Sequence, residues 1–562
     1  MTARRRTFRI EHVVLAAFVA VMFLFVLAPL ASLLVRAFQD RAGNFAGLRN
    51  FREYIASPHL SVSFAHRLLV SSLSAVLAVL SGFAYAYGVE RTPLPLRGVF
   101  RYIALLPLFS PTMMHGIGLV YLIGRKGMLT SLGLDVQLYG PVGIMISELA
   151  YVFPQAFMIL SVSLRNADMR QYEAATMLGA TPFGTFLSVT LPGARYGIIS
   201  AFFACFSLAF TDFGAPKVVG GNYSVLATDI YKQVVGQQNL SMGAVVGIVL
   251  LVPALLAFAG DRLASRRAGG TIQSRCVPLR ITSRPAIDAS FLVICICVAG
   301  GILLLQGAVL IASLTTFWPY DLAPTFGNFR FGATAGGDGF APLWTSLRMS
   351  LLTALMGTAF TFCYAYLVEK CSPPRTLSRM ARLSAFVPLA LPGLVIGLSY
   401  ILFFNARANP LNGMYQTMAI LVAANISHFF SVPYVTSVAA LKKLAPEFEE
   451  VSESLRVGRT TTFLRVTAPM SLPAIVEIAQ FFFVNSMATV SALVFLYSPR
   501  IRPASIAVVN MEDAGDIASA AAMSVVIIGA NLAVRALCDL GTRRLKRRAS
   551  AWLGSEGSGT LR

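Results

Sequence analysis

The chain has 562 residues, of which 56% are hydrophobic and only 13% are charged, whereas soluble domains carry about 25% charged residues. This composition excludes a soluble globular protein and predicts a polytopic membrane protein. The formal net charge of +21 does not indicate nucleic-acid binding, because the basic residues lie between apolar runs with few aromatic residues beside them. The seven cysteines predict neither a disulfide framework nor a metal site.

Apolar runs of about 20 residues or more recur along the chain, and each can cross a hydrocarbon layer about 30 Å thick. They predict an all-α membrane protein with about 12 transmembrane helices in two parallel six-helix repeats. The first run is too long for the apolar part of a signal peptide, so we expect it to be retained. The predicted spans are about 13–35, 66–89, 102–124, 142–164, 195–214, 239–260, 289–317, 343–368, 383–406, 414–441, 470–497 and 517–538.

The two halves also resemble each other in short motifs. FAYAYGVE ends at Glu90 and FCYAYLVE ends at Glu369, in each case at the close of the second span of its half. Pro111 and Gly116 are likewise matched by Pro392 and Gly397. The predicted organisation is a first repeat at 1–260, a cytoplasmic linker at 261–288, a second repeat at 289–542 and a basic cytoplasmic tail at 543–562.

One polar-flanked segment, EAATMLGATPFGTFLSVTLP from Glu173 to Pro192, stands out among the apolar runs. Residues 172–178 are strong helix formers, and Gly179 can take the positive φ that lets one helix end and another begin. Thr181 precedes Pro182, as a helix cap precedes a first-turn proline. The pattern predicts a helix-turn-helix between two spans, although an ordinary interfacial connection would share much of it.

The segment occurs twice, since Glu173 aligns with Glu450 and Pro192 with Pro469. The second copy is degenerate, and its substitutions are Val451 and Ser452 for two alanines, Ala468 for a leucine and Arg456 for the glycine. Because arginine resists positive φ, we expect the second loop to turn elsewhere, with Gly458 as a candidate, or to differ in shape.

This spacing resembles the EAA loop of ABC-importer permeases, in which EAA is followed by three residues, glycine, nine residues, an aliphatic residue, one residue and Leu-Pro. The resemblance covers nearly the whole chain and is closest to fused permeases that carry both membrane halves, a group that includes ferric-iron, thiamine and 2-aminoethylphosphonate permeases. Residues 211–247 resemble the 2-aminoethylphosphonate permeases most closely among these.

The resemblance implies a MetI-like permease fold in a bacterial inner membrane, a cytoplasmic ATP-binding subunit dimer docked on the loops at 165–195 and 442–470, and a periplasmic solute-binding protein on the outer face. The coupling residues it implies are Glu173, Ala174, Ala175, Gly179, Pro192, Glu450, Arg456 and Pro469. The expected solute is 2-aminoethylphosphonate. Ferric iron, thiamine or a polyamine is the alternative.

Residues for bond-making chemistry are not apparent in the sequence. No GxxxxGK[ST] loop occurs, so the phosphate cradle of an ATPase must come from another polypeptide. The five histidines show no ligand spacing, and no nucleophile stands with a base, so we predict no catalytic residue, metal or cofactor. We expect membrane lipid, and no nucleic acid, as a partner.

Charged residues within apolar runs are costly in lipid and indicate functional sites. The candidates are Glu148, Asp212 and Glu477. Asp212 lies near the outer end of the fifth span and aligns with Thr489, so the repeats differ in charge where the fifth spans would line a pathway. We predict Asp212 and Thr489 as pathway residues, with local capping by Asp212, or its pairing with Lys217, as the alternative.

Two other classes of protein fit part of the pattern. A secondary transporter also has twelve helices in two halves, but the loop RTPLPLRGVFR between spans two and three lacks the acidic residue expected there. A membrane scaffold would show no dependence on ATP. Neither class explains the paired loops.

The distribution of basic residues predicts that both termini and residues 261–288 are cytoplasmic, because most of the 46 basic residues then lie inside. In a cysteine-free background, a membrane-impermeant thiol reagent added outside should modify a cysteine introduced near Asn328 and not one near Gln273. The reverse labelling pattern would overturn the orientation.

Overall fold

A computed structural model describes residues 10–554 of the chain except 132, 134–136, 270–276, 278–283, 332–338 and 446. Residues 270–276 and 278–283 of the predicted linker at 261–288, including Gln273, lie outside the described residues. So do residues 1–9 and residues 555–562 of the predicted tail.

The predicted all-α membrane fold is confirmed, since the described residues contain 8 helices long and apolar enough to cross a membrane, or up to 12 spans if each bent pair counts as one. Helices predominate because a backbone in hydrocarbon has no water to bond. The continuous spans are Ile10–Ala37, Pro58–Arg91, Pro141–Arg165, Pro182–Thr211, Leu240–Ala264, Pro285–Ser313, Ala341–Glu369 and Ile517–Thr542. The bent pairs are Arg97–Phe109 with Thr112–Thr130, Arg375–Ala390 with Gly393–Phe404, Met418–Phe429 with Ser431–Lys442, and Arg459–Met470 with Leu472–Ala488.

Shorter elements connect the spans. The connecting helices are Arg49–Ala56, Met169–Met177, Gly214–Val219, Leu226–Tyr231, Glu447–Ser454 and Ala504–Asp513. An antiparallel hairpin of Thr315–Phe317 and Asp321–Pro324 follows the seventh span. Among the described residues, π-helical turns interrupt the helices at Phe23–Leu27, Phe186–Thr190, Lys232–Gly236 and Phe463–Thr467.

The third span of each repeat is bent at a break between two helices, a feature that the lengths of the apolar runs did not predict. The bends are 105° in the first repeat and 111° in the second. Pro111 and Pro392 lie in the breaks, and a proline disfavours helical backbone at the residue before it. Ser110 and Leu391 accordingly take extended ψ angles of 144° and 119°.

The second repeat has two further bends, of 59° in its fourth span and 77° before its fifth. Pro433 and Pro473 lie shortly after these two breaks, where each removes one helical N–H donor. Ala156 and Tyr196 stand at the aligned positions of the first repeat, whose fourth and fifth spans are continuous. The added Pro473 thus accompanies the bend before the fifth span. The fourth span of the first repeat contains Pro154 and is continuous, so proline content does not explain the bend in the fourth span of the second repeat.

The compact units of the structure do not follow the two repeats. One unit comprises Met1–Leu33, Phe340–Ile506 and Val526–Arg562, and the other comprises Leu34–Gly339 and Ala507–Val525. The first span therefore belongs with most of the second repeat, and the seventh span, Pro285–Ser313, belongs with the first repeat. The division into repeats at 1–260 and 289–542 stays a prediction about the sequence.

Aromatic and polar contacts attach these exchanged helices. In the first unit, the rings of Phe18 and Phe360 stack with centroids 4.8 Å apart. In the second unit, the ring centroids of Tyr87 and Phe291 lie 4.6 Å apart. Deeper in the seventh span, the Gln306 Nε2 donates to the Ser110 Oγ at 3.0 Å, at the break in the third span.

Two aligned glycines allow close helix approach after the bends. A Cβ atom at Gly116 would lie 2.9 Å from the Cβ of Val218, and one at Gly397 would lie 2.8 Å from the carbonyl oxygen of Ala492. Each glycine thus packs against the segment that follows the fifth span of its own repeat. The matched pair explains why both halves place a glycine five residues after the proline.

We predict that Gly116→Ala destabilises the protein by about 1–3 kcal/mol, because the new methyl group has no room beside Val218. Gly301→Ala is the matched control, since its added Cβ meets nothing within 4 Å and helix propensity favours alanine by about 0.5–1 kcal/mol. The measurement is the thermal unfolding midpoint in detergent. Equal midpoints for the two variants would contradict the packing argument.

Candidate functional site

The first predicted coupling loop, residues 165–195, has the predicted helix-turn-helix form. Its first helix, Met169–Met177, begins at Asp168, whose side chain accepts from the N–H of Arg170. Gly179 takes a φ of +76°. The N–H of Gly179 and the N–H of Ala180 then bond to the carbonyl groups of Thr176 and Ala175, each at 3.0 Å, which is the hydrogen-bond pattern of a left-handed helix end.

The second helix of this loop starts as the sequence predicts. The Thr181 hydroxyl accepts from the N–H of Gly184, and Pro182 occupies the first helical turn. The helix then passes through the π turn Phe186–Thr190 and continues into the fifth span. The Tyr172 hydroxyl lies 3.0 Å from the Thr190 Oγ1 and so joins the two helices of the loop.

The second coupling loop, residues 442–470, turns at Arg456 with a φ of +56°. The prediction that arginine would move the turn is therefore wrong, and Gly458 instead caps the next helix with a φ of −63°. The N–H of Val457 bonds to the carbonyl of Ser452 at 2.9 Å, as the aligned Ala180 does in the first loop.

A single residue can accept this strain. The left-handed conformation costs a non-glycine residue about 1–2 kcal/mol, and the hydrogen bonds that close the helix end offset that cost. Arg456 is exposed, so its side chain meets no packing conflict at the turn. The two loops consequently have the same turn although their sequences differ at the key position.

All but one of the predicted coupling residues are exposed at the surface. Ala175 is buried against the body of the protein. The exposed ones are Glu173, Ala174, Gly179, Pro192, Glu450, Arg456 and Pro469.

Exposed leucines at both turns were missed by sequence reasoning. Leu178 is 87% exposed and the aligned Leu455 is 70% exposed, each directly before the left-handed residue. Met177 and Phe183 are also largely exposed in the first loop, and Leu464 in the second. Large apolar side chains grouped on an exposed loop are typical of surfaces that interact with a protein or a membrane. An apolar residue repeated at aligned positions of two polar loops was the available signal.

Asp212 is buried at the end of the fifth span. Its carboxylate accepts from the N–H of Ala215 at 2.9 Å and so caps the short helix Gly214–Val219. Lys217 contacts Asp513 instead. Thr489, in the other compact unit, is partly exposed, and its carbonyl accepts from the Ser505 Oγ at 2.6 Å. The pathway role of these two residues stays a prediction.

Arg67 organises the buried charges around Asp212, and sequence reasoning did not single it out. Its Nη1 contacts the Glu148 carboxylate, and its other nitrogens donate to the carbonyl groups of Phe210 and Asp212 at 2.8 and 2.7 Å. A third carbonyl, of Ala209, also accepts from it. The guanidinium therefore caps the carboxyl end of the fifth-span helix. An arginine within an apolar run was the overlooked signal.

Glu477, the third charged candidate, is exposed on its helix. Within residues 10–554 as far as they are described, no three His, Cys, Asp or Glu side chains are grouped so that they could hold a metal ion.

Comparison with known proteins gives a family and several relatives. The family described as binding-protein-dependent transport system inner membrane component matches residues 1–270 and 363–547. The ferric transport system permease protein FbpB of Actinobacillus pleuropneumoniae is 25% identical, over 92% of this chain and 76% of its own length. The Fe(3+)-transport system permease protein FbpB 2 of Haemophilus influenzae is 24% identical, over 82% of this chain and 86% of its own. A solved bacterial ABC transporter involved in the import of alginate aligns with 46% of this chain and 95% of its own, with a TM-score of 0.39 and 18% identity.

Opposite substitutions at the two turns should have opposite effects. Gly179→Val places a β-branched residue at positive φ and should open the first helix end, whereas Arg456→Gly should stabilise the second turn by about 1–2 kcal/mol. Amide hydrogen exchange across residues 174–185 and 451–462 measures both. We expect faster exchange and loss of the ATP-binding subunit on purification for Gly179→Val, and slower exchange with full retention for Arg456→Gly. Equal, negligible effects of the two changes would contradict the shared turn.

Proposed function

We propose that each of the two coupling loops binds one copy of an ATP-binding subunit. The premise is that this chain belongs to the family of binding-protein-dependent transport system inner membrane components. The chain is a permease subunit of an ABC importer in the inner membrane. Membership implies an ATP-binding subunit inside and a periplasmic binding protein outside. The pathway between them, the cytoplasmic position of both termini and the two-copy stoichiometry are parts of the proposal.

The observation that carries the proposal is the repeated turn. Gly179 and Arg456 take the same backbone conformation at aligned positions, and Leu178 and Leu455 stand exposed beside them. Two aligned turns on one chain, each with an exposed leucine, suit two copies of one partner. An exposed leucine at each turn also gives the partner apolar surface that is removed from water on binding.

The transported solute is proposed to be 2-aminoethylphosphonate. Its support is the resemblance of residues 211–247 to permeases for that compound. In the structure this stretch runs from the end of the fifth span to the start of the sixth and includes the helix capped by Asp212. A zwitterion with an ammonium end would suit an acid near the mouth of the pathway, whereas a bare phosphonate would be repelled.

Ferric iron is the second candidate. It is favoured by relatives named as ferric and Fe(3+) transport permeases, whose similarity extends along most of this chain. In either case we expect most of the selectivity to lie in the binding protein, and Asp212 and Thr489 to provide weak contacts along the pathway.

Uptake in a strain that lacks this chain distinguishes the two solutes. We expect loss of growth on 2-aminoethylphosphonate as the phosphorus source and loss of its radiolabelled uptake, with methylphosphonate, ferric citrate and thiamine uptake unchanged. Restoring the chain from a plasmid is the control. Unchanged 2-aminoethylphosphonate uptake with lost iron uptake would replace the first solute by the second and leave the permease function standing.

A further inference from the structure

A buried carboxylate closes the second span of the first repeat on its loop side. Glu90, whose side chain is 4% exposed, is contacted by Arg101 at 2.8 Å and by Arg165 at 3.0 Å. The Ser161 hydroxyl also donates to it at 3.0 Å. Arg101 lies in the first helix of the third span, and Arg165 is the last residue of the fourth. One carboxylate therefore joins the ends of three spans.

The second repeat contains the same arrangement. Glu369 ends the second span of that half and is 12% exposed. Arg382, from the first helix of the third span, lies 3.4 Å from it, and Lys442, from the last turn of the fourth, lies 3.9 Å from it. The chain thus repeats one acid and two bases at aligned positions, with Lys442 in place of Arg165.

The residue after each acid contacts the coupling helix of its own repeat. The Arg91 Nη2 donates to the Tyr172 hydroxyl at 2.9 Å, and its guanidinium lies 4.9 Å from the centre of that ring. The Lys370 Nζ donates to the Glu449 carboxylate and to the carbonyl of Leu444, both at 3.1 Å. Tyr172 and Glu449 are aligned residues of the two coupling helices. Both repeats therefore have a contact between the second span and the coupling helix, but the contact is made by different chemical groups.

In these contacts a mostly buried acid meets bases that reach the surface, with exposed fractions of 37% for Arg101, 59% for Arg165, 52% for Arg382 and 62% for Lys442. Exposed pairs contribute little because water competes for both charges. Glu90 and Glu369 are instead largely withdrawn from water, so losing their partners would leave a charge that is neither hydrated nor paired. The acids consequently hold the span ends together, and the bases beside them hold the coupling helices against those ends.

We propose that Glu90 with Arg91, and Glu369 with Lys370, are positioning residues that transmit movement between each coupling loop and its bundle of spans. The proposal rests on the proposed function, because it assumes that an ATP-binding subunit moves the loops. A loop displaced by that subunit would pull on the second span through Tyr172 or Glu449. The acid would then carry the displacement to the third and fourth spans.

A purely structural role makes a different prediction. If the contacts only hold the fold, substitutions should lower the amount of assembled protein, and the molecules that assemble should transport with normal efficiency. If the contacts transmit movement, assembled molecules should hydrolyse ATP and import less solute for each ATP. The ratio of uptake to hydrolysis in assembled importer separates the two roles.

Charge reversal at the second repeat gives the sharpest test, because both partners there are charged. The variants are Lys370→Glu, Glu449→Lys and the double exchange, with Lys370→Arg as the conservative control. Each is purified as the complete importer with its ATP-binding subunit and reconstituted with the periplasmic binding protein. Phosphate release and the uptake of radiolabelled 2-aminoethylphosphonate and radioactive ferric citrate are measured per assembled complex.

We expect each single reversal to lower uptake per ATP about fivefold or more, since it places like charges next to each other at the joint. The double exchange should restore at least half of the ratio, and Lys370→Arg should retain it. At the first repeat, Tyr172→Phe and Glu90→Gln should lower the ratio in the same direction without introducing a like charge.

The proposal is overturned if the single reversals keep the normal ratio in assembled complexes, or if the double exchange is as uncoupled as the singles. The second result would mean that Glu449 contacts another partner. If neither Lys370→Glu nor Glu449→Lys assembles, the ratio of uptake to ATP hydrolysis is compared for Tyr172→Phe and Glu90→Gln. Normal ratios for those two variants overturn the proposal. Failure of the proposed function is seen separately, as wild-type importer whose ATP hydrolysis does not respond to the binding protein.

Discussion

The lack of water around a membrane-spanning backbone is the constraint on which this structure depends. Every N–H and carbonyl group in hydrocarbon needs a partner inside the protein, so regular helix is the default and each interruption needs a substitute. At the end of the fifth span the substitute is the Arg67 guanidinium, which donates to three carbonyl groups. In the second repeat, the hydroxyl of Ser505 donates to the carbonyl of Thr489, and the hydroxyl of Ser346 accepts from the N–H of Ala504.

The two repeats meet this constraint with different chemistry. Arg67 and Glu148 form a fully buried ion pair, whereas the aligned Ser346 and Asn425 are neutral. A buried pair is stable only while both partners remain, because a lone charge there would be neither hydrated nor paired. The second repeat has instead the additional bends near Pro433 and Pro473.

Much of the architecture could be predicted from the sequence. Hydropathy located the spans, and the repeated loop motif located the coupling helices with the cap at Thr181, because both patterns are local. The bends at Pro111 and Pro392 could also have been predicted, because proline restricts the backbone of the residue before it. The lengths of the apolar runs alone did not indicate them. The turn at Arg456 was not readable, because the hydrogen bonds that offset its strain form only when the helix end closes. Arg67 required knowledge of which helix ends lie beside it.

The exchange of first helices between the compact units has a consequence for biosynthesis. The first span is grouped with a segment that begins at Phe340, so it is synthesised more than 300 residues ahead of that segment. At synthesis rates of about 5–20 residues per second, this helix waits roughly 15 to 60 seconds in the membrane before its partners exist. During that interval the apolar surface of the helix faces lipid rather than water. The nascent chain can therefore wait for the later segment, whereas a water-soluble protein with the same connectivity would expose that surface to water.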